Sequence, residues 1–144
     1  MPDGTVTTPR PASEGMFFED FEVGRIYAHR LGRTMIDADN AWFSLITLGI
    51  NQVHFNNDYA SRTPFGKPII ASPFTLAVVT GISATEFGQN TVANLGWTEV
   101  ELPRPVVVGD TIYARSKVLG KRNPPAARMP ASSRCRPRAS TRTA

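Results

Sequence analysis

Few side chains in the middle of this chain can move a proton. His54 stands in the segment Gly49-Ile50-Asn51-Gln52-Val53-His54, and imidazole is the side chain whose ordinary titration lies nearest neutrality, so it can take up and return a proton. Read alone, His54 is more commonly a buried loop histidine satisfied by backbone groups. Asn51 can hold a polar atom of a ligand or bridge a turn through its own side chain. Gly49 brings no side chain, and in isolation it reads as the residue that ends a helix. Farther on, Ala71-Ser72-Pro73 opens an apolar run. A buried helix N-terminus gathers unpaired N–H donors and partial positive charge, which suits a developing oxyanion. Pro73 has no N–H to give, so Ser72, with Ala71 before it, is the candidate donor, and Ser72 also reads as an ordinary N-cap. Asp39 and Asp58 read as cap and surface residues, and Gly109-Asp110 as turn chemistry. The residues suggest no metal site.

Elements able to position these residues can be read around them. Phe17 to Gly24 sets aromatic residues before a glycine turn, and Ile26 to Met35 reads as a first strand. Asp37 or Asp39 can cap a helix at about 38 to 48, where Trp42, Phe43, Leu45, Ile46 and Leu48 recur at helical spacing. Residues 56 to 61 suit a short helical turn, and Thr63-Pro64-Phe65-Gly66-Lys67-Pro68 must be loop. A second helix, 72 to 86, is apolar nearly all round and is expected to be buried. Thr91 to Leu102 and Thr111 to Gly120 read as extended runs. In the second, Ile112, Ala114 and Val118 face one way, and Tyr113, Arg115, Lys117 and Leu119 the other. A buried helix followed by amphipathic strands implies an α+β arrangement, an antiparallel sheet wrapped around a central helix.

With 144 residues, 41% of them hydrophobic, the chain is long enough for one domain. The formal charge of +4 is unevenly placed. Up to Gly120 there are nine basic residues against twelve acidic ones, a net −3, whereas Lys121 to Ala144 holds seven basic residues and no acidic one. A mildly acidic body argues against nucleic-acid binding by the domain, and a tail without aromatic residues could contact only phosphates. No apolar run suggests a signal segment or membrane span, and the single Cys135 cannot form an internal disulfide. A cytoplasmic protein is expected.

In order, Phe43, Gly49, Asn51, His54, Asn56 and Ala60 are followed by Phe65-Gly66-Lys67-Pro68-Ile69-Ile70, and Leu102-Pro103-Arg104-Pro105-Val106-Val107-Val108-Gly109-Asp110-Thr111 comes later. Over about residues 17 to 122 this resembles the MaoC-like dehydratases, the (R)-specific enoyl-CoA hydratase group, nearest the mesaconyl-CoA hydratase-like members. The resemblance implies a hotdog fold and hydration or dehydration of an enoyl-CoA thioester. It also implies a homodimer or heterodimer of hotdog domains, and no metal or cofactor beyond the CoA of the substrate. It makes His54 the catalytic histidine, Asn51 its companion, and Gly49, Ala71 and Ser72 substrate-binding positions, Ser72 standing where the family has a glycine. Two departures matter. Gly49 replaces the family's catalytic aspartate, and Asn56 replaces the aspartate two after the histidine. The alternative is therefore a weak or inactive binding module that pairs with an active homologue.

Three regions follow: a disordered leader, 1–16; the domain, 17–122; and an Arg- and Pro-rich disordered tail, 123–144. The family would continue with two more strands, and no strand is legible in Asn123-Pro124-Pro125-Ala126-Ala127 or beyond. The Pro, Ala, Arg and Ser composition is what a GC-rich coding sequence gives out of frame, so the sheet is expected to be incomplete at the C-terminus.

Overall fold

The computed structural model describes residues 6–7, 15–122 and 137–141. The elements are β1 (Val6–Thr7), β2 (Ile26–Thr34), α1 (Asp37–Thr47), α2 (Asn57–Ser61), α3 (Ser72–Phe87), β3 (Thr111–Lys121) and β4 (Pro137–Thr141). Two compact units are formed, one from residues 1–31, 80–100 and 113–144, the other from 32–79 and 101–112.

The first unit carries a four-stranded sheet in the order β1-β2-β3-β4. Gly24 N donates to Val118 O at 2.8 Å, and Val118 N donates to Arg25 O at 3.1 Å, which ties the start of β2 to β3. The outer pairings are parallel for β1 on β2 and antiparallel for β4 on β3. Along β3, Ile112, Ala114, Ser116 and Val118 are buried and the residues between them exposed. That is the strand period the sequence predicts, with Ser116 as an added polar member of the inner face. Met16, Phe21, Tyr27, Phe87 and Val118 make the core of this unit. Its rings meet edge to face, Phe21 on Phe87 at 5.1 Å and Tyr27 on Phe87 at 5.2 Å, the geometry that ring quadrupoles favour.

Several expectations need correction. Thr91 to Leu102 forms no strand, and Val92, Leu95, Trp97 and Val100 are exposed in an irregular segment. Apolar spacing gave the segment β character, but a strand also needs a neighbour to take its backbone bonds. Conversely, the tail was expected to hold no strand, yet Pro137–Thr141 pairs with β3, Val118 opposite Ala139. It is an edge strand and opens on proline, the position where a missing donor is tolerated. Val6–Thr7, within the expected leader, likewise pairs with β2. Residues 123–136, Cys135 among them, lie outside the described residues. The central helix is not buried all round: Thr75, Val79, Ile82 and Glu86 form its buried face, while Ala77, Gly81 and Ala84 are exposed. Uniform apolarity could not reveal which side packs.

In the second unit, Met35 N donates to Asp110 O at 2.9 Å and Gly109 N to Met35 O at 2.8 Å. Gly109 has φ +96°, and Asp110 Oδ2 accepts from Val107 N at 3.0 Å, so Gly109-Asp110 is the turn the sequence implies. Asp39 serves α1 as expected: its Oδ2 accepts from Ile36 N at 2.9 Å, and its Oδ1 takes Arg33 Nη2 at 2.6 Å. Ile36, not an aspartate, occupies the cap position. At the other end, Leu48 rather than Gly49 takes the left-handed conformation, φ 57°. Gly49 as helix terminator is thus corrected, and the strain falls on a leucine at a cost of about 1–2 kcal/mol.

Candidate functional site

The predicted loop 63–68 leads into a segment, Pro68-Ile69-Ile70-Ala71, whose backbone is held on both sides. Ile70 N donates to Val106 O at 2.7 Å, and Ile69 forms an isolated antiparallel bridge with Val107. Ile69 N also donates to Val53 O at 3.3 Å. The carbonyl of Ile69 accepts His54 Nδ1 at 2.9 Å. A carbonyl can only accept, so Nδ1 carries the proton and Nε2 is the unprotonated nitrogen of the neutral ring.

The turn before His54 is set by Asn51, whose Oδ1 accepts from Val53 N at 3.2 Å at the start of the single 3-10 turn Gln52–His54. The turn-bridging reading of Asn51 therefore accounts for its oxygen. Asn56 does the same work for α2: Oδ1 accepts from Tyr59 N at 3.0 Å, and Nδ2 donates to Gln52 Oε1 at 2.7 Å. Asp58 is exposed and paired with Arg62 at 2.6 Å. Asp39 and Asp58 are thus engaged as cap and surface pair, the roles expected of them.

Phe43, Ser44, Thr47, Gly49, Ile50, Asn51, His54, Ala71 and Pro73 line a cavity of about 450 Å³, a size that suits part of a small ligand. Four of the five site residues named from sequence, Gly49, Asn51, His54 and Ala71, are brought together there. Ser72 is exposed and not among the lining residues, although Ala71 and Pro73 on either side are. The carbonyl of Ala71 accepts from Phe74 N at 2.9 Å and Thr75 N at 3.0 Å. Ala71 is therefore the cap of α3, and Ser72 its first helical residue instead of the N-cap expected. Its N–H forms no bond among the described residues. The N–H of Ala71 is spent on Asn40 Oδ1 at 3.1 Å.

Sequence reasoning missed two residues of α1. Asn40 is fully buried and also donates from Nδ2 to Ile69 O at 2.9 Å. Ser44, one turn later, lines the cavity, is 6% exposed, and has a buried hydroxyl without a hydrogen-bond partner among the described residues. The spacing of four puts both on one face of α1, but Asp37, Asp39 and Thr47 are polar as well, so no sequence signal singled the pair out.

The second histidine is elsewhere. In the first unit His29 Nδ1 lies 2.7 Å from Glu86 Oε2, and Nε2 lies 2.8 Å from Ser116 Oγ. Ser-His-Glu is the order of a nucleophilic relay, but Ser116 is 0% exposed and nothing can reach it. No group of three or more His, Cys, Asp or Glu suited to a metal ion exists among the described residues.

The family model for the MaoC-like domain matches residues 20–128. The chain belongs to that family. It is 28% identical over 106 residues to a mesaconyl-CoA hydratase of Cereibacter sphaeroides, covering 74% of this chain but only 31% of that relative. The chain thus spans about a third of the relative's length. Among solved structures, an R-hydratase of Pseudomonas aeruginosa superposes with a TM-score of 0.67 at 25% identity, over 75% of this chain and 68% of that one. A conserved hypothetical protein of Mycobacterium tuberculosis, described as a double hotdog, matches 81% of this MaoC-like chain and 36% of its own, with a TM-score of 0.68 at 24% identity. The fold is the hotdog expected from sequence. No helix among the described residues is long and apolar enough to cross a membrane.

Proposed function

We propose that this MaoC-like chain binds an acyl-CoA thioester and adds water to, or removes it from, an enoyl-CoA, with His54 moving the protons. The observation that carries this reading is the bond from His54 Nδ1 to the Ile69 carbonyl. It fixes the tautomer and leaves Nε2 as the base of a ring that lines the cavity. In the hydration direction Nε2 takes a proton from water as its oxygen bonds to the β-carbon, and the electron pair moves to the thioester oxygen. The resulting imidazolium then returns a proton to the α-carbon. The N–H of Ser72 at the start of α3 is suited to the enolate oxygen, and the NH₂ of Asn51 to a carbonyl or the water. These steps call for no metal ion and no cofactor beyond the CoA of the substrate.

A second reading rests on Gly49. The family aspartate that would share proton transfer with His54 is absent, which fits a binding module that pairs with an active hotdog partner. Either reading places the chain in the cytoplasm as one half of a homodimer or heterodimer. Trp42, Leu45, Ile46 and Leu48 on and after α1 are all exposed, and large apolar side chains so grouped favour a protein neighbour.

Incubating the chain with crotonyl-CoA in ¹⁸O-labelled water decides between them. Label incorporation that disappears in His54→Ala is expected. Binding without incorporation would favour the second reading, and incorporation indifferent to His54→Ala would remove the first.

A further inference from the structure

Asn40 joins the two working parts of the site through one side chain. Its Nδ2 donates to Ile69 O at 2.9 Å, the same carbonyl that His54 Nδ1 reaches at 2.9 Å. Its Oδ1 accepts from Ala71 N at 3.1 Å, at the cap of α3. The orientation of the amide is dictated by its partners, because a carbonyl requires the NH₂ and an N–H requires the oxygen. Asn40 is 0% exposed, so both bonds form away from competing water and are costly to lose.

Those bonds reach two consecutive peptide groups. The Ile69 carbonyl shares its peptide plane with Ile70 N, which donates to Val106 O at 2.7 Å on the other edge. Ala71 N belongs to the next plane. A carbonyl oxygen has two lone pairs, and here His54 takes one and Asn40 the other. Without the amide, the first plane loses the donor that holds its oxygen toward His54, and the second loses the acceptor that holds Ala71. No other residue type of this size offers one donor and one acceptor at this spacing. An aspartate would set a negative oxygen against the Ile69 carbonyl, and a leucine would satisfy neither group.

We propose that Asn40 is the positioning residue of this site: it holds the Ile69 carbonyl that fixes His54 in the Nδ1–H tautomer, and it sets the cap of α3. By engaging Ala71 N–H, it leaves Ser72 N–H as the donor the helix start can offer. The functional consequence rests on the proposed role of His54, but the geometric one can be read without turnover.

The test uses the full chain with ¹⁵N-labelled histidine, its parent sequence, Asn40→Leu, and Asn40→Asp in case the leucine variant does not fold. His29, sealed between Glu86 and Ser116, reports in the same spectra whether the fold is intact. The parent should show His54 as the Nδ1–H tautomer alone. Variants with unchanged His29 signals should show a second His54 population protonated at Nε2. Orienting partners behind functional imidazoles in metal sites are worth about ten- to a hundredfold, so crotonyl-CoA turnover should lose about tenfold or more in kcat with KM nearly unchanged. A tautomer change in the variants, alongside a parent that shows no turnover, would uphold the positioning role while removing the proposed activity. Folded variants with His54 still in one tautomer and kcat at the parent value would overturn the proposal. A lowered Tm with the His54 signals unmoved would also overturn it, because Asn40 would then be structural only.

Discussion

His29 and Glu86, on β2 and in the last turn of α3, are bonded at 2.7 Å with side chains 0% and 1% exposed. Glu86 Oε1 also accepts from Arg30 N at 3.2 Å and Arg30 Nε at 3.3 Å, so three donors converge on one buried carboxyl. Satisfied groups of this kind add little net stability, but removing one member strands the others in the interior. Glu86→Ala should cost about 3–5 kcal/mol in urea unfolding. A change below about 1 kcal/mol would show that water reaches this cluster and replaces the carboxyl.

Ser44 makes the opposite prediction. Its hydroxyl is buried and has no partner among the described residues, so it carries the desolvation cost without the bond that would offset it. Ser44→Ala should leave stability within about 1 kcal/mol of the parent, on the more stable side. Since Ser44 also lines the cavity, the same variant should be assayed with crotonyl-CoA. A marked loss of stability would mean that the hydroxyl is bonded in solution.

The two faces of α3 offer a matched pair. Val79 is buried and Ala77 exposed. Val79→Asp puts an unpaired charge in the interior and should leave little soluble protein, while Ala77→Asp should express and melt like the parent. Equal soluble yields would show that the buried face of the helix is assigned wrongly. If Ala77→Asp alone were insoluble, this exposed side would be covered by a protein neighbour.

How much of this could be read from residues alone depended on whether the signal was local. His54, Asn51 and Gly49 lie within six residues and share one loop, so a short motif carried them together. The helix at Ser72 was equally local, announced by proline near its start. Burial along α3 was not legible, because its apolar residues lie nearly all round while polar Thr75 and Glu86 fall on the buried face. Thr91 to Leu102 has the composition of a strand, yet its backbone bends, with Glu99 at φ 55°, and it pairs with no strand among the described residues. Asn40 was invisible for a related reason: its two partners, Ile69 and Ala71, lie about thirty residues away, and nothing in the sequence of α1 marks that approach. His29 was overlooked because its partners are 57 and 87 residues distant.

The last prediction concerns Gly49, where the resemblance read from the sequence implies a carboxylate. Substitution there would be futile if the glycine were needed for a left-handed turn, but the structure gives that conformation to Leu48, and Gly49 is not among the positive-φ residues. A Cβ at Gly49 would meet only Thr47 Oγ1, at 3.4 Å, an ordinary contact. Gly49→Asp should therefore fold with a melting temperature close to the parent's. Gly49 and His54 line the same cavity, so the introduced carboxyl can share proton transfer with the imidazole. General acid or base assistance is worth about a hundred- to ten-thousandfold, and crotonyl-CoA hydration should rise by a substantial part of that range. In the Gly49→Asp background, His54→Ala should remove the gain, because the introduced carboxyl would then lack the imidazole with which it shares proton transfer. A folded Gly49→Asp protein with unaltered turnover would show that the missing carboxylate does not limit this chain. Parent turnover already at an ordinary enzymatic rate, and unchanged by His54→Ala, would place the chemistry on other residues.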